Sequence, residues 1–249
     1  MIHLVEHFFS IQGEGRYVGV PSLFFRLGGC NMRCVGFGTH ITAPDGTTIV
    51  GCDTAYAVDK EHFASQWRAI DETQTLIDIL NSYAIPYSVD VVFTGGEPLL
   101  FASELAPFVE YLVARGHRVT FETNGSVALD FDAYPAYREC TFALAVKLSN
   151  SGEPHHRRIN PKAIDSMATH AREAFFKFTL QASTIEDAQA EIAPIIALAP
   201  ALGVYCMPIS DSKAAIEAVC LEVIAFCKMH GYTYSDRLHI RIWDAIQGV

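Results

Sequence analysis

Short apolar runs closed by polar turns alternate with longer mixed stretches along most of this chain. Residues 3–10, 22–27, 89–93, 117–122, 142–146, 175–180, 203–207 and 238–242 are rich in Phe, Val, Ile and Leu and short enough for strands. Between them, 73–83, 104–115, 163–172, 185–198 and 211–230 read as helices. Asp71 or Thr73 is placed to cap the first helix and Gly116 to end the second. Such alternation predicts a mostly parallel sheet with right-handed crossovers. No internal repeat or low-complexity segment interrupts it, so residues 1–249 are expected to form one domain.

In parallel sheets, ligands gather at the C-terminal ends of the strands. Four strands here run directly into chemistry-bearing turns: Arg26 with Gly28-Gly29-Cys30, Thr94-Gly95-Gly96-Glu97-Pro98, Thr123-Asn124-Gly125, and Lys147-Leu148-Ser149. They predict one composite site on one rim. Arg26, a charge on an apolar strand, suits a carboxylate through its planar fork. Gln12 and Glu14, between Gly13 and Gly15, suit the donor and acceptor edge of a heterocycle.

The stretch from Leu27 to Thr54 carries the strongest chemistry. Cys30 and Cys34 have three residues between them, and Cys52 follows after seventeen more. Three thiolates from one loop suit an iron–sulfur cluster with one open iron. Zinc with His40 as fourth ligand remains an alternative, and so does a disulfide with one cysteine left over. Within the interruption, Ile41-Thr42-Ala43 and Thr47-Thr48-Ile49-Val50 flank Pro44-Asp45-Gly46. This predicts a hairpin, inserted over 35–51, that returns Cys52 to its partners.

Composition narrows the setting. With 249 residues, half of them hydrophobic, the chain can bury a sizeable core in one barrel-like α/β domain. A net charge of −10 argues against a broad nucleic-acid or anionic-membrane surface. No apolar run is long enough to span a bilayer, and Met1–His7 does not read as a secretion signal, so a cytoplasmic protein is expected. Seven cysteines fit a reducing compartment. Cys140, Cys206, Cys220 and Cys227 are expected to be small buried hydrophobes. His155-His156-Arg157-Arg158 reads as a solvated loop, and Lys177 as a residue at the barrel mouth or a snorkelling edge charge.

Several of these stretches together resemble radical S-adenosylmethionine (SAM) enzymes, and more narrowly the 7-carboxy-7-deazaguanine synthase family. They are Phe9-Ser10-Ile11-Gln12-Gly13-Glu14-Gly15, Phe25–Asn31, Cys52-Asp53-Thr54, Thr94–Leu100, Glu122–Gly125, Lys147–Ser149, and Arg237-Leu238-His239 with Trp243. The resemblance implies a partial (β/α) barrel, a homodimer, and an external electron donor such as flavodoxin or ferredoxin. It implies a 4Fe–4S cluster on Cys30, Cys34 and Cys52, with Gly51, Asp53, Gly96, Glu97, Lys147, Leu148 and Ser149 around SAM. Glu97 would accept from the SAM ammonium. A pterin substrate, 6-carboxy-5,6,7,8-tetrahydropterin, would meet Ile11, Gln12, Gly13, Glu14, Arg26, Thr94 and the terminal carboxylate of Val249, with Mg2+ on Thr54.

The chain departs from the radical SAM pattern in one respect. That pattern has two residues between its second and third cysteines, often with an aromatic before the third. Here Gly51 holds that place, and Phe37 or the hairpin would have to take over contact with adenine. A glycyl-radical activating enzyme and a non-catalytic zinc-binding module are the competing functions.

Overall fold

The computed structural model describes residues 1–210, 212–244, 246 and 248. Its strands are β1 (Ile2–Ile11), β2 (Pro21–Leu27), β3 (Thr39–Thr42), β4 (Thr48–Gly51), β5 (Arg68–Ile70), β6 (Asp90–Gly95), β7 (Arg118–Thr123), β8 (Thr141–Leu144), β9 (Glu173–Leu180), β10 (Gly203–Pro208) and β11 (Thr233–Tyr234). The helices are α1 (Lys60–Phe63), α2 (Thr73–Ser82), α3 (Ala102–Ala114), α4 (His155–Arg158), α5 (Pro161–His170), α6 (Ile185–Ile196), α7 (Lys213–His230) and α8 (Leu238–Trp243).

Among the described residues one nine-stranded sheet runs β11-β10-β9-β8-β7-β6-β2-β1-β5. From β2 to β11 every pairing is parallel; β1 joins β2 and β5 antiparallel. This is the expected mixed α/β architecture, a mostly parallel partial barrel. The expected hairpin is present as β3 and β4, with Thr39 opposite Gly51 at its base.

Period-2 alternation explains how the barrel sorts its side chains. Phe25, Phe93, Phe121 and Phe142 are in register on β2, β6, β7 and β8 and fully buried. Their rings follow one another at 5.7, 5.0 and 5.6 Å, and Phe108 of α3 meets the first two edge-on. The next residue on three of these strands is Arg26, Thr94 or Glu122, which therefore points to the other face, into the barrel. Lys177 obeys the same rule between Phe176 and Phe178 on β9. A strand can thus carry a buried charge and an aromatic core at once.

Three sequence expectations are corrected. Residues 238–242 form a helix, α8, since apolar–polar alternation over five residues does not separate strand from helix. Neither Asp71 nor Thr73 caps α2; Glu72 occupies that position without a side-chain cap bond. Cys220 is half-exposed, whereas Cys140, Cys206 and Cys227 are buried as expected. Asp211, the expected start of α7, lies outside the described residues; Ser212 caps that helix through the Ala215 amide, and Gly231 ends it. No described helix is long and apolar enough to cross a membrane.

If the aromatic ladder carries the core, Phe93→Ala should lower the unfolding free energy by about 3–5 kcal/mol. Leu221→Ala, at a position 74% exposed on α7, should change it by less than about 0.5 kcal/mol. Urea unfolding measures both, and equal losses would contradict the ladder.

Candidate active site

The cysteine loop and the Gly95-Gly96-Glu97 turn are joined backbone to backbone. The amides of Gly96 and Glu97 donate to the carbonyls of Leu27 and Gly29, each at 2.9 Å. Gly28 and Gly29 in turn donate to His3 and Ala57 at 2.8 Å. A Cβ on Gly96 would stand 2.0 Å from the Gly29 oxygen, and Gly95 has φ +111, so only glycine fits this seam.

Glu97 is buried beneath the seam, where its carboxylate accepts from the Leu99 amide (3.1 Å), the Asn124 amide (2.7 Å) and the Thr123 hydroxyl (2.8 Å). Burial pushes its acid above the ordinary range despite these donors. The side chain locks two turns together, the one after its own strand and the one that begins at Thr123. Asn124 continues the link by donating to Asn31 Oδ1 at 2.8 Å, with its Nδ2 4.0 Å from Cys30 Sγ.

Each cysteine has its own support. Cys30 follows the seam. Cys34 takes a left-handed backbone, φ 51, and its amide and that of Arg33 donate to Glu153. Cys52 follows the hairpin base, with its Sγ 3.4 Å from the Thr54 hydroxyl, which in turn lies 3.5 Å from the Gly95 carbonyl. Burial pushes the thiol of Cys30 up to about 12 and that of Cys34 up to about 11, and raises Cys52 as well. Cys34 and Cys52 also raise Cys30 by their charge, so the three lie within electrostatic reach.

Such thiols become ligands only when a metal centre displaces their protons. One zinc ion draws its ligands to about 2.0–2.3 Å, whereas thiolates of a cluster bind different irons and stand farther apart. No group of three His, Cys, Asp or Glu among the described residues could share one ion, and His40 is exposed on the hairpin. Three thiols of one loop within electrostatic reach of one another fit a cluster with one open iron.

A largely buried ion network spans the barrel mouth, with Asp53 of the cysteine loop at its exposed edge. Lys177 Nζ donates to Glu14 at 2.9 Å and Glu122 at 3.0 Å. Arg237 donates to the other oxygen of Glu14 at 2.8 Å and to Asp53 at 2.7 Å. Thr94 donates to Glu122 at 2.7 Å, and Gln12 accepts from the Glu14 amide at 3.0 Å. Burial opposes the charge of Glu14, but Lys177, Arg237 and His239 outweigh it and hold the carboxyl well below the usual range. Burial likewise opposes the charge on Lys177, yet Glu122 and Glu14 raise it above the ordinary lysine value. Gly13 belongs here too: a Cβ on it would overlap His239, and its carbonyl accepts from Leu238 at 2.9 Å.

Other expected residues are placed differently. Arg26 is not free: its Nε donates to Glu6 at 2.6 Å, and the guanidinium lies near the rings of Phe8 and Tyr56. Among the described residues its terminal nitrogens make no hydrogen bond, and Asp53 of the cysteine loop lies within electrostatic reach of the guanidinium. Ile11 lines a shallow groove with Phe9, Ser10, Pro21, Tyr87 and Trp243 and shares none of the network. Leu148 packs in the core. Val249 lies outside the described residues.

Ser149 donates through its amide (2.8 Å) and hydroxyl to Glu191, which also pairs with Arg158 at 3.0 Å. Arg158 reaches the Lys147 carbonyl at 3.1 Å, and Lys147 Nζ sits 5.9 Å from the Phe37 ring. The His-Arg run is therefore not a solvated loop: it forms α4, with Arg158 buried and only its other three side chains exposed. Glu191 and Glu153 escaped the sequence reading. Glu191 left a trace, since it lies on the Ala188–Ile192–Ile195 stripe that buries α6.

Replacing Lys177 by Met would leave Glu122 without its cation and Glu14 with Arg237 alone, and should lower stability by about 3–5 kcal/mol at neutral pH. In the wild type, the lowered Glu14 contributes fully above the ordinary glutamate value of 4.5 and loses its contribution as pH falls through its folded pKa. Raised Lys177 contributes fully below 10.5 and loses its contribution as pH rises through its folded pKa. The deficit of the variant should therefore shrink on acidification, as Glu14 takes up its proton and the pairing lost with Lys177 no longer counts. Urea unfolding across this range measures it, and a pH-independent deficit would contradict the pairing.

Residues 11–166 match the 4Fe-4S single cluster domain family. The chain is 31% identical to the 7-carboxy-7-deazaguanine synthase of Hyperthermus butylicus, over 97% of this chain and 93% of that protein. It is 30% identical to the synthase of Rhodopirellula baltica, over 95% and 84% respectively. Its fold matches the crystal structure of QueE from Escherichia coli with a TM-score of 0.67 at 21% identity, over 96% of this chain and 94% of that one. Near full-length identity and the cysteine-bearing domain agree: this chain belongs to the 7-carboxy-7-deazaguanine synthase family.

Proposed function

We propose that this chain is a radical SAM lyase that converts 6-carboxy-5,6,7,8-tetrahydropterin to 7-carboxy-7-deazaguanine with loss of ammonia, on the queuosine and 7-deazapurine route. The observation that carries this reading is the Arg237–Asp53 ion pair at 2.7 Å. Asp53 follows Cys52 directly, and Arg237 holds Glu14, so the cysteine loop and the polar mouth are parts of one site.

Cys30, Cys34 and Cys52 would hold a 4Fe–4S cluster, which together with SAM would supply the 5′-deoxyadenosyl radical that takes hydrogen from C6 of the substrate. Gly51, Asp53, Gly96 and the Lys147–Ser149 segment would border SAM, and Phe37, whose ring lies 5.9 Å from Lys147 Nζ, would offer a face to its adenine. The terminal nitrogens of Arg26 suit the substrate carboxylate, held in orientation by Glu6 behind them. Glu122, Thr94 and Gln12 offer acceptors and donors to the heterocycle. Glu14, engaged on both oxygens, fixes this floor while its remaining lone pairs stay available.

The Thr54 hydroxyl with a substrate carboxylate and waters would suit Mg2+, which keeps several waters when bound. The chain would act over residues 1–249 as one domain with 35–51 inserted, as a homodimer in the cytoplasm, reduced by a flavodoxin or ferredoxin.

Anaerobically purified protein should carry iron and sulfide. With SAM, reductant, Mg2+ and the carboxytetrahydropterin, it should yield 7-carboxy-7-deazaguanine by mass spectrometry. Bound zinc without SAM affinity would instead favour a binding module; cleavage of SAM with no deazaguanine would favour a glycyl-radical activating enzyme. Within the synthase reading, Arg26→Lys should raise KM by roughly 10-fold or more through loss of charged hydrogen bonds. Phe37→Ala should weaken SAM binding while leaving iron content unchanged, and unaltered SAM affinity would remove Phe37 from the adenine site.

A further inference from the structure

Seventeen residues separate Cys34 from Cys52, and the hairpin closes that gap only as far as Thr39 and Gly51. What holds Cys34 itself comes from another part of the chain. We propose that Glu153 is a positioning residue for the cluster loop, its carboxylate gripping the Arg33 and Cys34 amides so that Cys34 keeps the backbone its ligand role needs. This inference rests on the cluster reading above.

Glu153 Oε1 accepts from the Arg33 amide at 2.6 Å and the Cys34 amide at 3.2 Å. Oε2 faces Arg157 at 3.6 Å, and Arg157 donates to the Asn31 carbonyl at 2.7 Å. One acid and one base, a helical turn apart, thus grip Asn31, Arg33 and Cys34. The Glu153 side chain is only 7% exposed, and its bond to the Cys34 amide is partly buried while that to Arg33 lies at the surface. The turn behind it is equally fitted: a Cβ on Gly36 would lie 2.3 Å from the Asn150 oxygen.

Cys34 needs such a grip because φ 51 is disfavoured for any residue but glycine and persists only where neighbours enforce it. Cys30 follows the Gly29 seam, and Cys52 precedes the Thr54–Gly95 contact. Glu153 supplies the matching support for Cys34. Its negative charge works against a nearby thiolate, so its benefit to the loop is geometric. A neutral acceptor of the same shape should preserve the geometry and remove the charge.

The test uses full-length wild type, Glu153→Gln and Glu153→Ala, reconstituted anaerobically with iron and sulfide. Iron per chain, the rate of iron loss to a chelator, the spin-resonance spectrum of the reduced cluster and melting of the apo-proteins are measured. Glu153→Ala should shed its cluster about 10–100-fold faster, as supporting residues around metal ligands do when lost, with an altered spin-resonance signal and apo melting close to wild type. Glu153→Gln should retain its cluster like wild type and show a more positive reduction potential. If Glu153→Ala does not fold, Glu153→Asp, one methylene too short to reach both amides, should show the same fast loss. Wild-type retention and spectrum in Glu153→Ala, or in Glu153→Asp where Ala does not fold, would overturn this inference alone, as would parallel loss of apo stability without rescue by Gln. A wild-type chain that takes up no iron would overturn the cluster reading, and this inference with it.

Discussion

Where β2 leaves the sheet, the amides of Gly96 and Glu97 reach back to the carbonyls of Leu27 and Gly29, and almost every feature of the site is hung from that seam. Peptide groups buried this deeply must be paired, and each strand end here satisfies the other. The approach leaves no space for a Cβ at Gly96. Glu97, tucked beneath, ties the seam to the start of the Thr123-Asn124-Gly125 turn. The cysteine loop thus leaves a rigid ledge, and Cys30 is fixed before any metal arrives.

The mouth network follows from the same sheet. Parallel register sets Arg26 beside Thr94, and alternation turns Thr94, Glu122 and Lys177 inward while their aromatic neighbours pack outward. Lys177 and Arg237 then stand against Glu14, Glu122 and Asp53. Burying so many charges contributes little net stability, because desolvation offsets their attraction. Its consequence is orientation: removing one partner leaves others unpaired, so the set holds a single arrangement.

Legibility in the sequence tracked how local each constraint was. Most strands, the longer helices and the hairpin were readable from period and turn residues, but 238–242 is a helix and the short β5 and β11 were not foreseen. The shared rim was readable too, because the strand-end rule converts a one-dimensional pattern into a place. Arg26 and Glu97 were placed on the right turns, but their partners within the protein were not readable: nothing near Arg26 announces Glu6, and nothing near Glu97 announces that Thr123 and Asn124 will enclose it. Glu153 and Arg237 act across 119 and 223 residues respectively. Such pairings depend on the closed barrel and leave no local mark. The His-Arg run looked solvated because composition does not reveal that Arg158 turns inward to Glu191.

The long interruption between Cys34 and Cys52 is less of a burden than its length implies. Loop-closure entropy grows only logarithmically, so lengthening a spacer from two residues to seventeen costs about 2 kcal/mol for a featureless chain. This chain is not featureless: Thr39 pairs with Gly51, Ile41 with Ile49, and the Pro44-Asp45-Gly46 turn is closed by the Thr47 amide on Asp45. Ile41, Ala43 and Ile49 also join the small core around Phe63 and Trp67. Once the hairpin is formed, the effective spacer is the short run from Cys34 to Thr39 on one side and Gly51 on the other. The freedom still to be removed lies at Cys34, and it is there, on a backbone that would otherwise relax, that the Glu153 carboxylate makes its two bonds.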